Sequence, residues 1–336
     1  MSNISTVKLY PLLFKPIYVE IMWGGNLLKD YFSREVPKTD GPIAEAWEIS
    51  DRPGAESIIE NGDLKDISIR QLMEIRGKDF IGNSFIEGER FPLLVKLIDA
   101  GRRLSLQVHP DEEACKRIEG AEPKTEMWFI IAAKENAKII AGLQTNCTKM
   151  KFLDNISSDA IVDCLQTFKS EPGDAYFINA GTVHSIGAGN LLLEIQQNSN
   201  TTYRLSDWGR VGLDGKPREL HVDKALECIN FLDRSSPRIT APSNHVPRNR
   251  KFPVVNKCPY FSVDDMKLTE TLIDSTKGEH LHLITPIDSG IEIEYYNNET
   301  IYVERGCTCA IPAVCGRYNI NIGDTPEVTV IKTSLK

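Results

Sequence analysis

Short runs of Val, Ile, Leu and aromatic residues, each closed off by Gly, Pro or Asn, recur along most of this 336-residue chain. They fall at 93–98, 104–108, 127–132, 138–141, 175–178 and 191–196, then again at 291–296, 300–303 and 328–332. β-branched and aromatic side chains fit a pleated sheet, and runs this brief make poor helices. Their spacing predicts antiparallel sandwiches or barrels rather than alternating β-α units. Helical patterns are fewer. One begins at Ser68, with Ile69, Leu72, Met73 and Ile75 as its apolar positions. Pro110-Asp-Glu-Glu-Ala carries Pro at a first turn and acids at the positive end of the helix dipole. Residues 159–165 and 221–230 also read as helical, the latter with Val222, Ala225, Leu226 and Ile229 on one face. The fold class expected is mainly β.

The stretch 233–251 is basic, aperiodic and rich in Pro and Ser, which marks a linker. It divides the chain into an expected first domain over 1–232 and a second part over 233–336. A degenerate repeat supports the division. Gly173-Asp-Ala-Tyr-Phe-Ile-Asn-Ala-Gly-Thr-Val-His184 is matched by Gly306-Cys-Thr-Cys-Ala-Ile-Pro-Ala-Val-Cys-Gly-Arg317. Each copy reads as a hairpin whose Gly admits a tight backbone and whose turn aims the next strand inward. Arg317 stands in the second copy where the first has His184.

Charge bounds the partners. Lys plus Arg number 39 against 47 for Asp plus Glu, a net of −8, so no global basic field attracts nucleic acid or an anionic membrane. An anionic ligand must be held by a local cluster of Lys and Arg. The first twenty residues lack the pattern of a secretory leader, and no run approaches a membrane span. The eight cysteines include no C-x-x-C pair, which fits free thiols and a cytoplasmic protein.

Four residues stand out against this background. Gln107 and His109 are two apart on an expected strand, so both face one side while Leu104, Leu106 and Val108 face the other. Glu126 brings a carboxylate into the apolar run Met127-Trp-Phe, a costly burial unless a cation or metal meets it. His184 follows the Gly173 turn and points inward. Together they offer an amide oxygen, two imidazoles and a carboxylate, a ligand set suited to Zn²⁺ and tolerant of Fe²⁺ or Mn²⁺.

The paired patterns Gly-x5-Gln-x-His at 101–109 and Gly-x5-Asn-x-Gly-x2-His at 173–184 resemble those of the cupin superfamily. Gln107 stands where many cupins have His. Glu126 comes late, after an inserted helix around 111–119. The strings Leu104-Ser-Leu-Gln-Val-His-Pro, Pro123-Lys-Thr-Glu-Met-Trp, Gly181-Thr-Val-His-Ser-Ile-Gly and Thr201-Thr-Tyr-Arg-Leu-Ser-Asp-Trp-Gly-Arg resemble the type I mannose-6-phosphate isomerase family in its short bacterial form. Trp23-Gly-Gly and Glu45-Ala-Trp-Glu-Ile-Ser fit as well. The resemblance implies two cupin-like (jelly-roll) β-barrel or sandwich domains with a small helical insertion in the first. It implies an isomerase interconverting mannose 6-phosphate and fructose 6-phosphate through a cis-enediolate, with one Zn²⁺ per chain. Gln107, His109, Glu126 and His184 would be the metal ligands. Lys96, Ser105, Lys124 and Glu194 would contact substrate, and Arg204 would act catalytically by adding a fixed positive charge to the developing enediolate. Lys96 and Lys124 would supply cations for the phosphate. The proton-shuttling base is left open among Glu194, a lysine and a water.

Two other classes compete: a cupin-type protein that binds a sugar phosphate without turning it over, and an Fe²⁺/O₂ oxidoreductase, which Gln107 and the Lys/Arg set disfavour. The remaining features read as structural. Cys307, Cys309 and Cys315 are expected in the core, and the His280-x-His282 pair in a metal-free second domain. His221 and His245 are expected at the surface, and Trp128 and Trp208 as packing groups.

Overall fold

A computed structural model of the chain describes residues 4–212, 214–240 and 248–336. His245 and the centre of the expected linker, 241–247, lie outside the described residues. The structure falls into two compact units. One comprises Tyr18–Trp47 and Leu94–Thr240. The other takes the chain up to Ile17, Glu48–Leu93 and the chain beyond Thr240. One crossing, after Thr240, falls inside the expected linker. The early segments that the sequence reading placed in the first domain instead pack with the C-terminal strands, through pairings such as Leu12 with Ala310 and Gly82 with His280.

The unit built from Tyr18–Trp47 and Leu94–Thr240 is a sandwich of two open sheets. The larger has seven strands in the order Ile17–Glu20, Ile43–Ile49, Leu93–Ala100, Asn190–Gln197, Glu126–Ala133, Ala175–Ile178, Arg238–Ile239. The smaller has five: Tyr203–Ser206, Leu106–Val108, His184–Ile186, Lys138–Leu143, Leu165–Lys169. Ile98, Leu104, Trp128, Ile130, Ile139, Tyr176, Ile186 and Leu192 form the buried layer that both sheets contribute to. The other face of the smaller sheet is covered too. Leu106, Val108, Ile140, Val183 and Leu205 pack there against Phe152, Ile161, Ala225 and Cys228 from the helical segments Lys149–Asn155, Asp159–Cys164 and Val222–Cys228.

The turn after Gly173 departs from the expected hairpin. Ala175–Ile178 pairs with Glu126–Ala133 in the larger sheet, while His184–Ile186 pairs with Leu106–Val108 in the smaller one. The second copy repeats this: Cys309–Ile311 pairs with His282–Pro286 and Arg317–Asn321 with Leu272–Ser275, again in different sheets. The repeat is therefore a pair of sheet-to-sheet corners. Gly173 (φ 90°) and Gly181 (φ 85°) supply the left-handed backbone that the first corner needs.

Among the helices, Ile69–Ile81 starts where expected, with a full capping box between Ser68 and Gln71. Ile75 departs from the expected apolar face and is 50% exposed. Residues 159–164 wind as a 3₁₀ helix rather than an α-helix.

A buried carboxylate fixes the loop that carries Trp23. On the Leu93–Ala100 strand, Asp99 faces away from Lys96 and Ile98. Asp99 is fully buried, and its Oδ2 accepts the Leu28 amide at 3.0 Å. A side chain on Gly25 would begin 2.2 Å from Asp99 Oδ1, so the close approach requires glycine there. Burial, partly offset by the Leu28 and Leu27 amides, pushes the Asp99 carboxyl up to about 6. Its folded value thus lies above its unfolded one. The stability it contributes is present below about pH 4 and is lost as pH rises through about 6, by at most ~3 kcal/mol. Asp99→Asn keeps an acceptor for Leu28 without the charge. It is expected to flatten the pH dependence of thermal unfolding over that window and to melt above the parent at pH ~8; an unchanged slope would contradict this.

The second unit holds two further sheets. Arg250–Val255, Phe261–Leu268, Val328–Leu335, His282–Pro286 and Cys309–Ile311 form one; Leu272–Ser275, Arg317–Asn321, Ile291–Tyr295 and Glu299–Val303 form the other. Met266, Ile284, Ile293, Cys309, Cys315, Tyr318, Ile320 and Val330 pack in a common core. His282 is buried and shares a 2.8 Å hydrogen bond with the Tyr318 hydroxyl. Among the described residues, no helix is long and apolar enough to cross a membrane.

Candidate active site and metal centre

Register brings the expected residues together. Gln107 lies directly opposite His184 on one neighbouring strand and opposite Arg204 on the other. Residues paired in this way project to the same face, so amide, imidazole and guanidinium form a row across the smaller sheet. His109 follows the end of the Leu106–Val108 strand and is 1% exposed. From the larger sheet, Glu126 opens the Glu126–Ala133 strand and is fully buried. One ligand atom each from His109, Glu126 and His184 lies within 4.8 Å of the others.

Hydrogen bonds set both imidazoles. His109 Nδ1–H donates to the Thr201 carbonyl at 2.9 Å, and His184 Nδ1–H donates to the Thr182 carbonyl at 2.8 Å. Each Nε2 is then the lone-pair nitrogen and lies 3.4 Å from the nearer Glu126 oxygen; that of His109 accepts from the Lys124 ammonium at 3.1 Å and that of His184 from the Gln107 amide at 3.2 Å. Burial first, then the neighbouring Lys124 ammonium, lowers His109 to about 3; burial likewise lowers His184. Both rings are neutral and able to ligate at physiological pH. Burial alone would raise the Glu126 carboxyl, but Lys124, 3.0 Å from Oε2, reverses that and holds it well below the usual range.

Apart from the Lys124 ammonium, 3.0 Å from Oε2, neither Glu126 oxygen meets a hydrogen-bond donor among the described residues. A buried carboxylate beside two neutral imidazole nitrogens, with the Lys124 ammonium at their edge, is an electron-rich point at which a divalent cation would bind. Gln107 borders it, with its amide nitrogen 3.2 Å from His184 Nε2. The donor set fits a metal ion.

Beside this cluster lies a cavity of about 310 Å³, near the lower end of the roughly 300–1,000 Å³ range of small-molecule pockets. Its polar lining includes Glu45, Lys96, Gln107, Lys124, Glu194, Arg204 and Arg218, and Ile21, Trp23, Ile98, Leu104 and Ile186 supply apolar walls. Lys96 bridges two carboxylates, 3.4 Å from Glu45 and 3.3 Å from Glu194. Burial opposes its charge, but Glu45 and Glu194 outweigh that and push Lys96 up to about 12. Burial, followed by the proximity of Glu126, raises Glu194.

Ser105 stands apart from the cavity lining. It is 2% exposed, and its hydroxyl donates to the Gln107 amide oxygen at 3.0 Å, so it orients a neighbour. Trp128 does more than pack, since its indole N–H donates to Glu194 at 2.9 Å. His221 is not a surface residue: it is half-buried, and its Nδ1 accepts the Arg204 amide at 3.2 Å. The sequence reading missed Glu45 and Arg218. Glu45 shows the same anomaly that marked Glu126, an acid inside a buried apolar strand, Ile43–Ile49. Arg218 lies in an aperiodic Gly-Lys-Pro-Arg loop that carries no signal.

Fold and site together define a cupin-type sandwich with a buried cluster able to hold a metal ion beside a polar ligand cavity. Residues 12–126 match the family described as phosphomannose isomerase type I, catalytic domain. The chain is 34% identical over 317 residues to the mannose-6-phosphate isomerase ManA of Bacillus subtilis, covering 92% of this chain and 95% of that protein. It is 33% identical over 259 residues to the mannose-6-phosphate isomerase of Streptococcus mutans, covering 75% and 77% of the two chains. The solved structure of the mannose 6-phosphate isomerase from Bacillus subtilis superposes with a TM-score of 0.85 at 30% identity, over 97% of this chain and 99% of that one. This chain belongs to the type I mannose-6-phosphate isomerase family.

Proposed function

We propose that this protein interconverts mannose 6-phosphate and fructose 6-phosphate through a cis-enediolate, using one Zn²⁺ held by Gln107, His109, Glu126 and His184. The observation that carries the proposal is the convergence of two neutral imidazole nitrogens and a buried carboxylate, with ligand atoms within 4.8 Å of one another, beside a polar cavity. Its support also comes from relatives that bear the isomerase name over most of their length.

Isomerisation moves a carbonyl between C1 and C2. A proton leaves C2, negative charge spreads over the two substrate oxygens, and a proton arrives at C1. Bound zinc would supply positive charge to those oxygens. Arg204 adds a second, permanent one; it lines the cavity beside Gln107, and its Nε is buried with no hydrogen-bond partner among the described residues. Glu194 is the group we assign to carry the proton. It lines the cavity, Trp128 and Lys96 hold its two oxygens in place, and its raised carboxyl moves toward the working pH that a general base requires. Lys124 stays beside Glu126 and balances its charge. The eight free cysteines fit a reducing, cytoplasmic setting.

The reaction is tested by incubating mannose 6-phosphate with zinc-loaded protein in D₂O and following the products by NMR. Fructose 6-phosphate with deuterium in part of its C1 positions is expected. Product wholly free of deuterium would point to a hydride shift, and no product would reject the isomerase reading in favour of ligand binding alone.

A further inference from the structure

Each imidazole of the cluster is oriented by a backbone carbonyl, and the carbonyl that serves His109 sits on a loop. Residues 198–202 connect the Asn190–Gln197 strand of the larger sheet to the Tyr203–Ser206 strand of the smaller one. A connection between sheets has no ladder of its own, so other groups must satisfy its backbone. Gln196, fully buried and directly opposite Glu126, donates its amide N–H groups to the Gln197 carbonyl at 2.8 Å and the Ser199 carbonyl at 2.7 Å. The Ser199 hydroxyl, also buried, accepts the Thr201 amide at 3.2 Å.

Two further bonds clip this loop to the segment that leads into Glu126. The Glu122 amide donates to the Thr201 hydroxyl at 3.0 Å, and the Ser199 hydroxyl donates to the Glu122 carbonyl at 3.0 Å. Closer to Glu126, the Thr125 amide donates to the Gln197 side-chain oxygen at 2.8 Å, and the Gln197 amide donates to the Thr125 carbonyl at 3.1 Å. The Thr201 carbonyl then takes the His109 Nδ1–H at 2.9 Å. Thr201 thus faces two ways: its hydroxyl holds the chain approaching Glu126, and its carbonyl holds His109. Those two side chains come from different sheets, and Thr201 joins the elements that carry them.

We infer that Thr201 is a positioning residue for the metal centre, its hydroxyl anchored on Glu122 so that its carbonyl fixes His109 with Nε2 as the ligating nitrogen. The inference rests on the metal-site reading above and extends it beyond the four ligands. The partner of the non-ligating nitrogen sets both tautomer and ring orientation, and losing such a partner typically weakens metal binding about ten- to hundred-fold.

Thr201→Val keeps the branched shape and loses the hydroxyl, whereas Thr201→Ser keeps the hydroxyl. Competition with a chromophoric chelator measures zinc affinity of the purified proteins without any turnover. T201V is expected to bind zinc about ten- to hundred-fold more weakly than the parent, and T201S to restore near-parental affinity. A general loss of packing would lower the melting point without separating the two variants. Parental affinity in T201V, or equal weakening in both, would overturn the assignment. NMR of protein labelled with ¹⁵N-histidine gives a second reading: the His109 Nδ1–H should be protected from solvent exchange in the parent and T201S, and exposed in T201V. If the parent binds no zinc, the metal reading falls and this signal still decides, since equal protection in all three proteins overturns the role of Thr201. If T201V does not fold, as judged by its melting curve, S199A removes the other clip. Zinc affinity lowered several-fold in S199A supports the clamp, and parental affinity overturns it.

Discussion

Glu126→Gln is expected to strip the protein of bound metal and to lower isomerase turnover by about 10³-fold or more, the scale set by losing a Lewis acid beside a developing negative charge. Glutamine keeps the shape of the side chain but offers no charge to a cation held between His109 and His184. The change also strands Lys124, which is 6% exposed and pairs with Glu126 at 3.0 Å. Breaking a buried pair from one side costs about 3–5 kcal/mol, so the variant is expected to melt well below the parent as well. Metal content after gel filtration, measured beside product formation, checks both halves. A variant that keeps a full equivalent of zinc and the parental rate would contradict the assignment of Glu126.

The second large effect is on stability. Lys96→Met removes the ammonium that bridges Glu45 and Glu194. Each carboxylate would retain an indole donor, Trp47 to Glu45 at 2.6 Å and Trp128 to Glu194 at 2.9 Å, but would lose the ammonium that bridges the two. Destabilisation of about 3–5 kcal/mol is expected near pH 8. The sign of the pH dependence follows from Glu194, whose carboxyl is already raised in the parent by burial and by Glu126. Without Lys96 it rises further above its unfolded value. The deficit should therefore shrink as pH falls and the Glu194 carboxyl takes up a proton, and grow as pH rises. Thermal unfolding of parent and variant at about pH 5 and pH 8 measures this; a deficit equal at both would show that the carboxylates are compensated by something other than Lys96.

The site was legible because its polar residues interrupt strands whose other positions are apolar. Gln107 and His109 showed as a period-two pair, and Glu126 as an acid at the head of Met127-Trp-Phe; the structure brings both to one cluster with His184. The strands themselves were readable because runs such as 93–98 and 328–332 are short and rich in Val, Ile and Leu, and the strands they mark, Leu93–Ala100 and Val328–Leu335, are buried along nearly their whole length. What could not be read depends on partners distant in sequence. A Gly-bounded turn looks the same whether its strands pair with each other or pass to different sheets, so local pattern reads the corner at 173–184 as a hairpin. The segment Glu48–Leu93 packs with C-terminal strands through contacts such as Gly82 with His280, which no local pattern announces. Arg218 owes its place to Asp207, and His221 its partial burial to the Arg204 amide. Neither residue carries a periodic signature.

The most direct test of the account is product formation from mannose 6-phosphate by purified protein as isolated, after chelation, and after zinc is restored. The account predicts that fructose 6-phosphate appears, that chelation abolishes it, and that about one equivalent of zinc per chain returns it. Turnover undiminished in metal-free protein, or no turnover with zinc fully loaded, would contradict it.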